Sequence, residues 1–387
     1  MHMSITRRGF LASAIAMPSA LRAMASPVSA NPRWILLGTG TDKGIFRAAW
    51  NGERGELSGF EVAASTVHPS FLAMHPRLPI LYAVNEAPEG DGALCSFRVD
   101  AASASLTLLE RVSSGGNGPC YVSVDATGQD AFVANYGGGS FAAFRLTVGG
   151  GMRSAGLFGC EKNAACGVLG PNTARQEAAH MHSAVVSPDN RFVLACNLGE
   201  DSIEIFRIHP GAKVPIEPPV RIPARAGSGP RHLAFHPNGL WLYCIHELDC
   251  TIDLYDWNVG NGVPAPVLRK DSVTSTLATR ADLPGSTGCE ILISPDGKFL
   301  YGNTRGENSL VVYRVDAKTG LLKEQQRVFS GGGLTRHIAF DPSRRWLLCA
   351  NQGSSTVTVF AHDPATGRLG ETPKSFAVDT PMFVQFV

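Results

Sequence analysis

From residue 31 onward the chain alternates short apolar runs with turn residues, and one pattern recurs. Its clearest copy is Gly229 to Trp257, GPRHLAFHPNGLWLYCIHELDCTIDLYDW. Alternation and β-branched content predict strands over His232–His236, Leu240–Ile245 and Thr251–Trp257, with a Pro-Asn-Gly turn between the first two. Further copies begin at His180, Gly288 and Leu334, with weaker ones at His68 and Gly118. The residues closing each second strand are Glu86, Tyr136, Leu198, Glu247, Arg305 and Gln352, at intervals of 50, 62, 49, 58 and 47. Repeats of about 40–50 residues with four strands each predict a β-propeller.

Six units are complete. A seventh is predicted from the two ends of the chain. Trp34–Gly40 has no first strand before it, and Pro381–Val387 has no second strand after it. Pairing them closes the ring and removes a long exposed edge. The predicted fold is therefore all-β, a seven-bladed propeller over 31–387. Outer strands are expected within Gly211–Gly229 for the third blade and Arg269–Gly288 for the fourth. Gly149–Ala179 reads as a long irregular insert.

The first 30 residues stand apart. Arg7-Arg8 precedes Phe10-Leu11, an Ala-rich apolar stretch and small-residue sites near Ala25 and Ala30, the pattern of a twin-arginine export signal. The mature chain is then expected to be periplasmic, and cytoplasmic if the signal is not used. It carries no apolar run long enough for a spanning helix.

With 44% apolar and 17% charged residues and a formal charge of +1, the chain offers no electrostatic ground for nucleic acid or an anionic membrane as partner. Nine cysteines show no zinc spacing. Cys196, Cys244 and Cys349 fall inside second strands, as small buried hydrophobes do. Cys160 and Cys166 lie close enough in sequence to pair, and Cys244 and Cys250 flank one hairpin turn.

Antiparallel pairing puts the start of each first strand beside the end of each second strand. First strands line the channel of a propeller, so these positions converge on one mouth. Counting back from the turns gives Ser70, Cys120, His182, Arg231, Cys289 and Arg336. The opposing set is Glu86, Tyr136, Leu198, Glu247, Arg305 and Gln352. Individually, a Glu or Arg after a strand is an ordinary solvated or ion-paired residue. His180 and His182 form an HxH pair, but no third ligand stands at metal spacing, so no metal or other cofactor is expected. Together, the charges predict a site for an anion with an acid/base group in its midst. No GxSxG elbow is present, and packing is the expected role of Cys120 and Cys289.

The segments RQEAAHMHSAVVSPD, GPRHLAFHPNGLWLYCIHEL, CEILISPDGKFLYGNTRG and FDPSRRWLLCANQGSSTV resemble the lactonase family of seven-bladed propellers. That family includes propeller-type 6-phosphogluconolactonases and fungal carboxy-cis,cis-muconate lactonising enzymes. The resemblance implies a hydrolase opening a small anionic or sugar lactone, with a muconate-type cycloisomerase or a non-catalytic binding platform as alternatives. It implies a catalytic set of His182 (or His180), Arg231, Glu247 and Arg305, the residues the rim count also reaches. Glu247 is the expected base, with His182 as alternative base or acid. His180, Arg336, Gln352, Glu86 and Tyr136 are expected to contact substrate.

Overall fold

A computed structural model describes residues 34–387 except 88–89, 91, 160–166, 261–262, 270, 280 and 282–283. The proposed export signal and the Cys160–Cys166 pair lie outside the described residues.

The architecture is a ring of seven antiparallel sheets. The first blade runs, inside to outside, through Leu72–Met74, Ile80–Asn85, Ala93–Val99 and Leu106–Ser113, and the second through Pro119–Val124, Asp130–Asn135, Ser140–Leu146 and Met152–Gly159. The third begins with the two-residue strand Val185–Val186 and continues through Phe192–Asn197, Ser202–Arg207 and Val220–Pro223. The fourth pairs Pro230–Phe235, Trp241–His246 and Thr251–Asp256. The fifth is Thr287–Ile293, Phe299–Arg305, Ser309–Val315 and Leu322–Phe329, and the sixth Thr335–Phe340, Trp346–Asn351, Thr356–Ala361 and Lys374–Ala377.

The seventh blade is split between the ends of the chain. Pro381–Phe386 supplies its innermost strand and pairs with Trp34–Thr39, followed outward by Ile45–Asn51 and Glu56–Ala64. Innermost strands of neighbouring blades touch one another around the whole circle, Pro381–Phe386 lying between those of the sixth and first blades. The ring therefore has no unpaired seam.

Period-2 alternation on two-faced sheets explains the core. Each interface between neighbouring blades holds its own apolar cluster, seven in all. Ile35 and Leu37 of the closing blade pack with Leu348 and Val357 of the sixth, while Leu36 and Phe383 pack with Leu72 and Leu81 of the first. Among the described residues no helix is long and apolar enough to cross a membrane.

Three sequence expectations need correction. The insert Gly149–Ala179 is not irregular throughout, because Met152–Gly159 within it is the outer strand of the second blade. Its alternation is weak because the strand is little buried on either face, Met152 alone being fully buried. The outer strand of the fourth blade starts earlier than Arg269 and is broken into Val267–Leu268 and Thr274–Ser275, both paired with Thr251–Asp256. His182 does not start the first strand of the third blade: Met181 makes only an isolated bridge to Asn197, and regular pairing begins at Val185. Cys244 and Cys250, which flank the hairpin turn of the fourth blade, are both free thiols.

Candidate active site at the channel mouth

The fourth-blade hairpin builds the centre of the site. Glu247 directly follows Trp241–His246, and its N–H donates to Gly229 O at 2.7 Å, fixing the two hairpin ends side by side. Gly229 has φ 64°, and a Cβ there would lie 2.5 Å from Leu248 Cγ, so this turn needs glycine. One residue later the ladder slips. Pro230 pairs with His246 and His232 with Ile245, leaving Arg231 as an unpaired bulge residue. Bulges re-aim side chains, and here the guanidinium turns into the mouth. The same slip occurs at Cys120 between Pro119 and Tyr121, and at Arg336 between Thr335 and His337.

Glu247 is the hub. Its side chain is 4% exposed and accepts from Arg231 Nε at 3.0 Å, while Arg305 Nη2 stands at 3.0 Å from the same Oε2. Arg175 Nη2 donates to Oε1 at 2.5 Å, and His182 Nε2 lies 3.5 Å from Oε2. Arg231, only 2% exposed, also donates from Nη1 to Cys289 O at 2.5 Å. Burial alone would push the Glu247 carboxyl up, but the guanidinium groups of Arg305, Arg231 and Arg175 outweigh it and hold the group well below the usual carboxylate range. Burial and the neighbouring Arg231 charge hold His182 well below its ordinary value, against the pull of Glu247. The resting site therefore contains an ionised Glu247 and a neutral His182.

The other residues expected at the mouth divide. Tyr136 lies against both histidines, stacked on His180 at 4.4 Å between centroids and edge-on to His182 at 5.3 Å. Its hydroxyl accepts from Arg175 at 3.1 Å. His180 points away from Glu247, with Nδ1 3.0 Å from Tyr136 O and Nε2 3.1 Å from Glu177. Between the two histidines it is thus His182 that reaches the hub. Arg336 and Glu86 form a separate pair at 3.5 Å. Gln352 has its side chain beside Gly40 and its backbone N–H donating to Leu334 O. Cys120 Sγ lies 3.9 Å from His182 Nδ1, but burial drives its thiol well up, which leaves no thiolate nucleophile.

Sequence reasoning passed over two features. Arg175 lies in the irregular part of the insert, where no repeat register assigns it a position. Its signal was its neighbourhood, five residues before His180 in the quoted RQEAAHMH segment. The second feature is a plug across the channel beneath the mouth. Phe71 stacks on Tyr121 at 4.0 Å and lies 4.2 Å from Phe383, while His337 stacks on Phe383 at 3.9 Å. His232 joins this layer edge-on to Tyr121, with Nδ1 2.8 Å from Glu290 Oε1. Phe71, Tyr121, His232, Glu290 and His337 each follow a rim position by one residue, so they were countable in the sequence; Phe383 belongs to the closing strand, for which no rim position was counted.

The plug predicts acid sensitivity. Burial holds His182, His232 and His337 below the ordinary histidine value, His337 down to about 4, and Val384 N–H donates to His337 Nδ1 at 3.3 Å, which requires that nitrogen unprotonated. The unfolded chain takes up these protons first, so the stability of the neutral state is full above about pH 6.5 and drains as pH falls towards the folded values. His337 alone should lose about 1–2 kcal/mol by pH 5. Glu290, held at about 2, adds to the loss in the same direction once pH falls below the ordinary carboxylate value. Urea midpoints at pH 7.5 and 5 test this: an unchanged midpoint would show that these histidines are charged in the folded protein.

Residues 34–386 match the family described as lactonase, 7-bladed beta-propeller. The 6-phosphogluconolactonase of Bacillus subtilis is 30% identical over 90% of this chain and 95% of its own. That of Formosa agariphila is 30% identical over 89% of this chain and 97% of its own. The solved structure of a periplasmic gluconolactonase from Pseudomonas aeruginosa superposes with a TM-score of 0.81, at 30% identity, covering 92% of this chain and 98% of that one.

Proposed function

Because the chain belongs to the lactonase family of seven-bladed β-propellers, we propose that it opens a lactone by adding water at the mouth described above. The observation that carries the reading is a single buried carboxylate in contact with three guanidinium groups and a neutral imidazole. Hydrolysis of a cyclic ester needs a base for the water and positive charge for the oxyanion. In this reading water attacks the carbonyl carbon and yields a proton to Glu247. Arg231 and Arg305 stabilise the oxyanion. Collapse breaks the ring C–O bond, and the leaving alkoxide takes back the proton, directly from Glu247 or by way of His182. The product is the open hydroxy acid.

Both the pattern at Arg7-Arg8 and the similarity to a periplasmic gluconolactonase support export of the mature chain. An exported enzyme meets few phosphorylated sugar lactones, so an unphosphorylated sugar lactone is the proposed physiological substrate. The test has two arms. Proton release is followed for phosphorylated and unphosphorylated lactones with the mature protein, and cells carrying wild-type or Arg7→Lys/Arg8→Lys precursor are fractionated. Expected is turnover of unphosphorylated lactone and a periplasmic location lost in the double variant. Cytoplasmic wild type with strict preference for the phosphorylated lactone would overturn both. Ultraviolet absorbance of carboxymuconates in the same panel checks the cycloisomerase alternative.

A further inference from the structure

We propose that Arg175 is the specificity-determining residue of this site: it caps Glu247 while the mouth is empty and turns to a carboxylate carried by the incoming lactone. The inference rests on the lactone-hydrolase reading and adds to it the class of substrate.

Three observations carry it. The first is mounting. Arg231 sits in a bulge of the innermost strand and Arg305 ends a second strand, whereas Arg175 lies in the strandless segment 167–179. Its side chain is 39% exposed, against 2% for Arg231 and 14% for Arg305. Of the three guanidinium groups touching Glu247, it is the one that substrate meets first and the one least held by the fold.

The second is how it is bonded. Nη2 alone serves both Glu247 Oε1 and Tyr136 OH, and neither Nε nor Nη1 makes a hydrogen bond among the described residues. No edge of the guanidinium presents Nε and Nη1 together, so a bidentate fork needs Nη2; swinging Arg175 off Glu247 frees Nη2 to join Nε or Nη1 in gripping a carboxylate bidentately.

The third is charge. Three guanidinium groups touch Glu247, the buried carboxylate of Glu290 acts on Arg231 from below, and the further guanidinium at the mouth, Arg336, already has Glu86. One positive charge is left over, and a lactone bearing one carboxylate neutralises it on binding. A neutral lactone would leave Arg175 where it is. Turning Arg175 away also removes one of the charges that weaken Glu247 as a base, so the base strengthens once the matching substrate is seated.

A matched pair of substrates tests this: glucono-1,4-lactone, which is neutral, and glucaro-1,4-lactone, which replaces its terminal hydroxymethyl group by a carboxylate. Wild type should prefer the carboxylated lactone. Arg175→Gln should lose that preference by about 30-fold or more, the effect of removing one partner of a close charge pair. The loss should lie in KM for the carboxylated lactone, with kcat/KM for the neutral one rising, and Arg175→Lys should restore part of the preference. Equal falls for both lactones, or an unchanged ratio, would reduce Arg175 to a structural cap and overturn the proposal. If wild type opens neither lactone, the hydrolase reading fails separately. Arg175 is then tested by calorimetric binding of glucarate against gluconate, where equal selectivity in wild type and Arg175→Gln overturns the inference and a loss of glucarate selectivity supports it.

Discussion

Glu247→Gln should lower kcat for lactone opening by about 10²–10⁴, the usual loss for a positioned acid/base group, and should lower stability as well. The substitution keeps the shape of the side chain and removes its charge. Arg231, Arg305 and Arg175 then face one another without the carboxylate that now lies within 3.0 Å of each. Removing one partner of a buried ion pair costs about 3–5 kcal/mol, because the remaining charge stays buried. Activity and stability are separable. Combining Glu247→Gln with Arg231→Met replaces the most deeply buried pair by neutral groups of similar size, a change that recovers much of the stability in other buried pairs. The double variant should melt above the single one and remain inactive. Kinetics and thermal melts of both proteins check this, and a Glu247→Gln enzyme with full turnover would remove Glu247 from the mechanism.

Deleting residues 381–387 should prevent folding altogether. The segment supplies the innermost strand of the closing blade and buries Met382, Phe383, Val384 and Phe386. Each such side chain contributes about 1.5–3 kcal/mol, so the strand accounts for about 6–12 kcal/mol against a total stability of about 5–15 kcal/mol for a typical domain. Its loss also bares Trp34–Thr39 as an unpaired edge, an invitation to aggregation. The truncated protein should be recovered insoluble or without near-ultraviolet dichroism. Conversely, joining the ends should be tolerated, since Val387 N–H donates to Trp34 O at 3.2 Å. A permutant opened at the exposed turn near Ala365 and closed by a short linker between 387 and 34 should fold with the same mouth. A soluble, active truncation would show that six blades and an open seam suffice.

The ring, its closure and the convergence of charges on one mouth were legible because each depends on local rules. Alternation at period 2 marks the strands, Pro, Asp, Asn and Gly mark the turns, and antiparallel pairing across a tight turn ties Arg231 to Glu247 within 16 residues of sequence. The same counting brought His182 and Arg305 to the mouth from neighbouring blades, because every repeat enters and leaves the channel at equivalent positions. The outer strands were read less well. Met152–Gly159 and the broken outer strand of the fourth blade are little buried on either face, and their composition is under little constraint from packing.

What remained hidden is what only distant parts of the chain decide once assembled. The slip that turns Arg231 inward is a one-residue irregularity of pairing, and no composition distinguishes it from regular strand. His180 and His182 share a motif, yet Tyr136 of the preceding blade holds the first away while Glu247 of the following blade meets the second. Arg175 comes from a segment without period, so its place on Glu247 follows from the fold of the insert and not from the repeat. The sequence alone determined a seven-bladed propeller with a cationic mouth, since that follows from hairpins and their repetition. Which guanidinium groups share the single carboxylate, and therefore how strong a base it is, was settled only by tertiary contacts between blades, where burial and charge act together on groups far apart in the chain.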